Sequence, residues 1–579
     1  MKRLVRRSAN HALKLDNPLL ARLFANRGIT DPAEIDFSLK NLLSPDSMKG
    51  LSTAADVLAS TVVGGRKIMI VGDFDADGAT STALMVHCLR ACNAHVEYLV
   101  PNRFEFGYGL TPEIVAVAAL KQPALIVTVD NGISSVEGVK VANDLGIKTI
   151  ITDHHLPGAA LPDAIAIVNP NQAGCDFPSK SLAGVGVSFY LLSALRSALR
   201  ERSWFQQQQI KEPVLADYLD LVALGTIADV VPLDKNNRVL VSEGIRRMRA
   251  GRVRPGIHAL LDIAGTNLKN LITRDVAFGV APRLNAAGRL EDMSIGIECL
   301  LSEDSATAAE LAERLDGINK ERRSIEDEMK AQAIKIVDAT FPSKPASKGA
   351  SSTGKDKADQ YGICLYDPSW HQGVVGIIAS RIKDRLHRPV IAFAKASDTE
   401  IKGSARSIRG LHIRDTLDAI ATANPGLIDK FGGHAMAAGL SLPIDKYAEF
   451  SALFNAEAKK NLAPADLEQQ VLSDGELDAG ITLATARAVI EAAPWGQGFA
   501  EPIFDGEFEV IDQRILGDKH LKLRLMKDDE LIDAIAFNHN RLIENRMKRL
   551  AYRIDINAYR GLEKVQLIIE SVDVEVHDK

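Results

Sequence analysis

The chain reads as an α/β protein built on a parallel sheet, joined by a long helix to a second α/β lobe and followed by a β-barrel. Three observations predict that order. Short apolar runs alternate with helical patterns from Lys67 to about Val168. One helical stripe fills residues 303–340, and beyond about residue 466 short β-rich runs take over.

At 579 residues the chain should hold three or four domains, at roughly 150 residues each. Apolar residues make up 46% and charged residues 25%, ordinary values for a globular protein. No stretch is both long and apolar enough to span a bilayer, and Met1 to Arg7 lacks the apolar segment of a signal peptide, so the expected location is the cytoplasm with no membrane partner. The five cysteines include no Cys-x-x-Cys pair, which argues against a disulfide framework or a thiolate zinc site. A net charge of −6 gives no global attraction to nucleic acid, so such binding would rest on local basic patches.

Residues 1–50, broken by Pro and Asn, read as a helical cap on the α/β region. The strands expected next are Ile68–Val71, His95–Val100, Ala124–Val129, Thr149–Thr152 and Ala164–Val168, with helices near 79–92, 112–121 and 134–145. Ligands in such sheets sit beyond the carboxyl ends of the strands. Acidic motifs fall there: Asp73, Asp75 and Asp77 after the first strand, Asp130-Asn131-Gly132 after the third, and Asp153-His154-His155 after the fourth. In extended backbone the alternate acids Asp73, Asp75 and Asp77 share a face, and they repel one another unless a cation neutralises them. Asp229 stands inside the apolar run Ala223–Leu233, where an unpaired carboxylate is costly to bury; it reads as a ligand or as a helix or turn cap.

The set Asp75, Asp77, Asp130, His154 and Asp229 is rich in oxygen, with one imidazole and no sulfur, which suits Mn²⁺ or Mg²⁺. More acids than one ion needs point to two ions about 3.5–4 Å apart, and hence to hydrolysis of a phosphoester or phosphoanhydride. Two basic clusters come later in the chain. Arg246, Arg247, Arg249, Arg252 and Arg254 read equally as a solvated face or a nucleic-acid contact, whereas Pro282–Arg289, with Arg283, Asn285 and Arg289, favours a phosphate site.

Gly72–Gly78, Val129–Gly132, Asp153–His155, Gly184–Val187, Gly225–Leu233 and Pro282–Arg289 together resemble the DHH phosphoesterase superfamily, in particular its RecJ-type single-strand-specific exonuclease branch. The resemblance implies that Asp75, Asp77, Asp130, His154 and Asp229 hold the metals, that His155 contacts the scissile phosphate and that Asp73 supports the site. It also implies a phosphate contact from Arg103, in a loop where this chain carries Phe106 in place of the family's usual acid.

A helix over 303–340, about 50 Å long at 1.5 Å per residue, can bridge two lobes. Residues 341–360 read as a flexible linker. Over 361–465 the segments Trp370–Arg381, Gly403–Ser407 and Phe431–Ala435 are similar to the DHHA1 domain, which implies that Ser404, Arg406 and His434 face the substrate from across a cleft. In 466–579 five β-rich runs, with a helix expected at Arg541–Leu550 between the third and fourth, suggest an OB-fold suited to single strands. The DHH domain would occupy 51–302.

The resulting expectation is a two-metal exonuclease, using Mn²⁺ or Mg²⁺, that removes 5′-mononucleotides from single-stranded DNA in the 5′-to-3′ direction during repair and recombination. The family resemblance implies single-strand binding protein and a DNA helicase as partners. The alternatives are an oligonucleotide or cyclic-dinucleotide phosphodiesterase of the same superfamily, and a non-catalytic DNA-binding scaffold.

Overall fold

The computed structural model describes residues 2–9, 11–102, 109–340, 360–559, 561–572 and 574–576. The expected linker at 341–360 lies outside the described residues except for Gln360. The chain forms two compact units: Arg6–Asn319 with Ser473–Val572, and Lys320–Leu472 with short segments from both chain ends. In the latter, β1 (Lys2–Arg6) is a short strand at the start of the chain.

The first unit contains a five-stranded, fully parallel sheet of β2 (Ile68–Val71), β3 (Val96–Leu99), β4 (Leu125–Val129), β5 (Lys148–Thr152) and β6 (Ala166–Val168), in the spatial order β3-β2-β4-β5-β6. Alternation along the strands divides the sheet's two faces. Ile68, Ile70, Val127 and Ile150 join the large core built with the helices Leu51–Val63, Ala76–Ala91 and Gly184–Glu201. Met69, Val71, Ile126 and Ile151 instead pack with Ile114, Val115, Val139 and Ala142 from helices Pro112–Ala119 and Val136–Asp144. Both faces are covered, which explains why β2 and β4 are buried at every position. Because the strand order reverses at β2, the carboxyl ends of β2 and β4 flank a topological switch point.

The predicted long helix forms over Ser305–Thr340. In the second unit β7 (Ile363–Tyr366), β8 (Val390–Lys395), β9 (Glu400–Arg406), β10 (Lys430–Gly433) and β11 (Ala437–Pro443) form a mixed sheet in the order β10-β11-β9-β8-β7. A short strand, β12 (Gln470–Ser473), pairs beside β1.

In the first unit a closed barrel joins β13 (Phe504–Leu516), β14 (His520–Lys527), β15 (Glu530–Ala536), β16 (Met547–Tyr559) and β17 (Leu562–Ser571). The helix expected at Arg541–Leu550 is absent: residues 541–546 are irregular and β16 begins at Met547. The Gln513 side chain explains this, because its amide satisfies both the N–H and the C=O of Ile543 at 2.8 and 2.9 Å, as a neighbouring strand would. A last strand, β18 (Val574–Val576), runs parallel to β1.

The N-terminal segment does more than cap the α/β region. Leu19 and Leu23 of helix Pro18–Ala25 are buried in the barrel's core beside Val489, Phe504 and Phe508. Arg27 forms a buried pair with Asp474 at 3.0 Å, and Arg6 meets Asp505 at 2.7 Å.

Candidate metal centre

Three chain turns bring the acids together. After β2 the chain does not stay extended through all three aspartates: a helix begins at Ala76, so Asp75 becomes its N-cap, accepting from Asp77 N at 2.9 Å and Gly78 N at 3.0 Å. Asp77 lies fully inside its first turn and accepts from Gly184 N at 2.6 Å and Val185 N at 2.9 Å, at the start of helix Gly184–Glu201. After β4, Asp130 adopts a left-handed backbone with φ of 63°, held by Asn131, whose amide donates to Val71 O and Val129 O. Gly184 allows the close approach, since a Cβ there would sit 2.6 Å from an Asp130 carboxylate oxygen.

After β5 comes Asp153-His154-His155. Buried Asp153 accepts from Ile133 N, His154 N and His155 N, and its Oδ1 lies 2.7 Å from His155 Nδ1. Asn169 and Asn171 donate to the carbonyls of His155 and His154 and hold the turn. Asp229 is the C-cap of helix Leu219–Ala228, the end at which a carboxylate meets the helix dipole unfavourably. Its cap reading and its place beside the other acids therefore hold together.

His154 Nε2 lies 3.1 Å from Asp130, 3.6 Å from Asp229 and 4.0 Å from Asp77. Among the described residues three donor groups close enough to hold a cation result: Asp77, His154 and Asp229; Asp130, His154 and His155; and Asp73, Asp75 and Asp130. Burial, and then the neighbouring aspartates, push the Asp77 and Asp130 carboxyls well above their usual range. Burial also raises Asp229 against the pull of His154, and depresses His154. For His155 burial works downward, but the Asp153 hydrogen bond wins and lifts it to about 9. Asp153 stays below its usual value, because the hydrogen bond and charge of His155 outweigh burial.

These residues fit divalent cations. The buried His154 Nε2 and Asp229 Oδ2 have no hydrogen-bond partner among the described residues, and protonation or a cation must settle the crowded carboxylates.

Helix Ala281–Leu290 presses on the acidic loop: Asn285 Oδ1 accepts from Ala76 N at 2.9 Å, and a Cβ on Gly288 would lie 1.7 Å from Phe74 O. Arg283 points elsewhere. It is buried, pairs with Asp316 at 2.8 Å and donates to Gly279 O, so this arginine and Asn285 are occupied structurally in the present conformation. Arg289 is half-buried on the same helix. Most of the first arginine cluster is likewise engaged within the protein. Arg246 pairs with Glu243, Arg247 with Asp217 and Arg254 with buried Asp220, and Arg249 donates to Leu271 O. That leaves little of it as a nucleic-acid face.

In the second unit, Ser404 and Arg406 alternate on β9 and share a face. Arg406 Nη1 donates to Ser404 Oγ at 3.1 Å. Both lie against the first turn of helix Val375–Leu386, where a Cβ on Gly376 would sit 2.9 Å from Ser404 Oγ and 3.0 Å from Arg406 Nη2. A guanidinium beside the positive end of a helix is an arrangement that an anion would relieve. His434 is exposed in the β10–β11 turn, with its N–H on Ala437 O at 2.8 Å. Arg103 and Phe106 lie outside the described residues.

The chain matches family models for the DHH family N-terminal domain over 67–226, the DHHA1 domain over 359–460 and the RecJ OB domain over 473–571. It is 52% identical over 560 residues to a single-stranded-DNA-specific exonuclease RecJ from Dickeya dadantii, covering 95% of both chains. The chain belongs to the RecJ family. It is also 49% identical over 563 residues to the Escherichia coli exonuclease of that name, covering 96% of each. The RecJ crystal structure from Thermus thermophilus in complex with Mn²⁺ aligns with a TM-score of 0.77 at 30% identity, covering 96% of this chain and 75% of that one. A further structure of that protein is in complex with Mg²⁺. Within the family frame, the parallel-sheet DHH domain, the DHHA1 domain and the closed OB barrel follow one another in this chain as the sequence predicts.

Sequence reasoning missed three contributors: Asp153 as the group that orients His155, Asn131 as the brace of Asp130, and the Gly184 and Val185 amides on Asp77. All three sit within motifs already marked by their acids or glycines. Their roles required the partner's position in space.

Proposed function

We propose that this chain is an exonuclease specific for single-stranded DNA, which hydrolyses phosphodiester bonds from the 5′ end and releases 5′-mononucleotides with two Mn²⁺ or Mg²⁺ ions. The observation that carries this reading is the convergence of Asp77, Asp130 and Asp229 around one buried imidazole, His154, beyond the carboxyl ends of β2, β4 and β5. Asp75, Asp77, Asp130, His154 and Asp229 would hold the metals, Asp130 and His154 each being common to two of the three donor groups. Bound divalent cations there neutralise the acids and supply Lewis acidity toward a phosphoryl oxygen.

The protein's own groups do the rest. Asp153 fixes the His155 ring and favours its protonated form, so that His155 would present a donor to the scissile phosphate. Asp73 supports the loop, donating no proton but accepting from Phe74 N at 2.8 Å. Arg103, Arg289, Ser404, Arg406 and His434 are the proposed contacts for substrate phosphates, and the helix end beside Ser404 and Arg406 supports a terminal phosphate in particular. The barrel supports a longer strand over a dinucleotide substrate. Action in cytoplasmic DNA repair and recombination, alongside single-strand binding protein and a helicase, belongs to the same reading; no helix among the described residues is long and apolar enough to cross a membrane.

The test is Mn²⁺-dependent digestion of end-labelled single and double strands. The reading expects mononucleotides released from the 5′ label of single strands and little from duplexes. Release from the 3′ label first, or equal attack on duplexes, contradicts it. Arg406→Ala should erase any preference for a 5′-phosphate over a 5′-hydroxyl.

A further inference from the structure

Among the described residues two phenylalanines stand well exposed, Phe278 at 72% and Phe537 at 53%. Phe278 stands on a π-helical turn, Val276–Val280, closed by Ala281 N on Val276 O. The cause is local. Pro282 has no N–H for the carbonyl four residues back, and its ring crowds that carbonyl, so the helix widens by one residue. Arg283 then secures the turn by donating to Gly279 O while its Nε bonds to Asp316. The turn that carries the exposed phenyl ring is thus pinned by the buried Arg283–Asp316 pair.

Phe278, Pro282, Asn285 and Arg289 follow at steps of four, three and four, and they form the accessible stripe of a segment whose intervening residues are mostly buried. Along that stripe Asn285 holds Ala76 N, between Asp75 and Asp77, about 11 Å of helical rise from Phe278. On the other side of Phe278 the same segment is fastened to the barrel. Arg274 bonds to Asp555 at 2.7 Å and to Glu501 at 3.3 Å, and Thr273 bonds to Trp495 O at 2.6 Å.

We propose that Phe278 is a stacking platform for a nucleobase of the single strand, placed between the barrel and the metal centre. An exposed phenyl face and the Arg289 guanidinium, eleven residues and about 16 Å of helical rise apart on one stripe, suit a strand of several nucleotides, with one base on the ring and a phosphate farther along at the arginine. Stacking accepts every base, as an enzyme that degrades strands of any sequence requires. The proposal rests on the exonuclease reading above.

The experiment measures binding of 5′-phosphorylated single strands to the full chain with chelator present to stop hydrolysis, each strand carrying one abasic position in turn. Wild type should show one position at which removing the base weakens binding on the order of tenfold. Phe278→Ala should flatten that position, Phe278→Trp should restore it, and Phe278→Leu should not, while circular dichroism shows all three folded. A 2-aminopurine at that position should be quenched by wild type and not by Phe278→Ala. If Phe278→Ala keeps the wild-type abasic profile, or Phe278→Leu binds like wild type, the platform is refuted while the exonuclease reading stands. If wild type binds no single strand, both fall together.

Discussion

The metal centre and the barrel both bury carboxylates, and they resolve that cost in opposite ways. In the barrel and its supports, Asp505, whose side chain is fully buried, meets Arg6 and Arg549, and Asp474 meets Arg27. Glu501 meets Arg274 and Arg553. The arginines hold Asp505 below the usual carboxylate range although burial works against them. At the centre, Asp77, Asp130 and Asp229 crowd around one imidazole whose proton affinity burial has lowered, and all three carboxyls are pushed upward. A buried acid with an arginine is a structural joint. Buried acids that raise one another's proton affinity form a site waiting for a cation.

The largest expected effect concerns hydrolysis. Asp130→Asn should bring it to the limit of detection at saturating Mn²⁺, with the fold retained because Asn tolerates the left-handed backbone at this position. Substantial turnover by the variant would erase the distinction between the two regions.

Next comes stability in the barrel. Asp505→Ala leaves two arginines without their shared carboxylate and should cost about 2–3 kcal/mol, less than a fully buried pair because Arg6 is partly exposed. The depressed carboxyl of Asp505 contributes stability above its unfolded value near 4, which is lost as pH falls through the lower folded value, so the variant should lack that part of the acid transition. Denaturant melts across the acid range check this. Hydrolysis of a trinucleotide by folded protein should be unchanged. Deleting the barrel is a poorer experiment, since it would strip Leu19 and Leu23 of their core.

A difference of sign sharpens the comparison further. In chelator, Asp130→Asn should raise the thermal midpoint by relieving repulsion among buried acids, whereas Asp505→Asn should lower it. Thermal melts at neutral pH decide this; two changes of the same sign would count against it. The smallest effect is expected at Arg247, which pairs with exposed Asp217. Arg247→Ala should cost under about 1 kcal/mol and leave the salt dependence of strand binding unchanged, whereas loss of a true phosphate contact lowers that slope by about one.

Much of this contrast was legible in the sequence, for unequal reasons. The parallel sheet was readable because both its faces are covered, leaving β2 and β4 almost wholly apolar, and the acids were readable because they follow those strands directly. The barrel strands showed in their alternation, but residues 541–550 have helical spacing, and distant partners occupy the backbone of 541–546: the Gln513 amide at Ile543 and Val510 N at Arg546 O. Arg283 carries the motif of a phosphate contact, and in this structure it secures a π-turn whose cause, Pro282, is visible and whose partner, Asp316, is 33 residues away. The arginines at 246–254 looked like one face, because sequence shows charges without showing which acids meet them.

The central claim is that the carboxylates at the ends of β2 and β4 with Asp229 are a divalent-cation site, in contrast to the arginine-paired acids of the barrel. Calorimetric titration of Mn²⁺ into the chelated and dialysed protein tests it most directly. Wild type and Asp505→Asn should bind Mn²⁺ alike, and Asp130→Asn should lose most of that binding. Unchanged Mn²⁺ binding by Asp130→Asn, or equal loss in Asp505→Asn, would contradict the account.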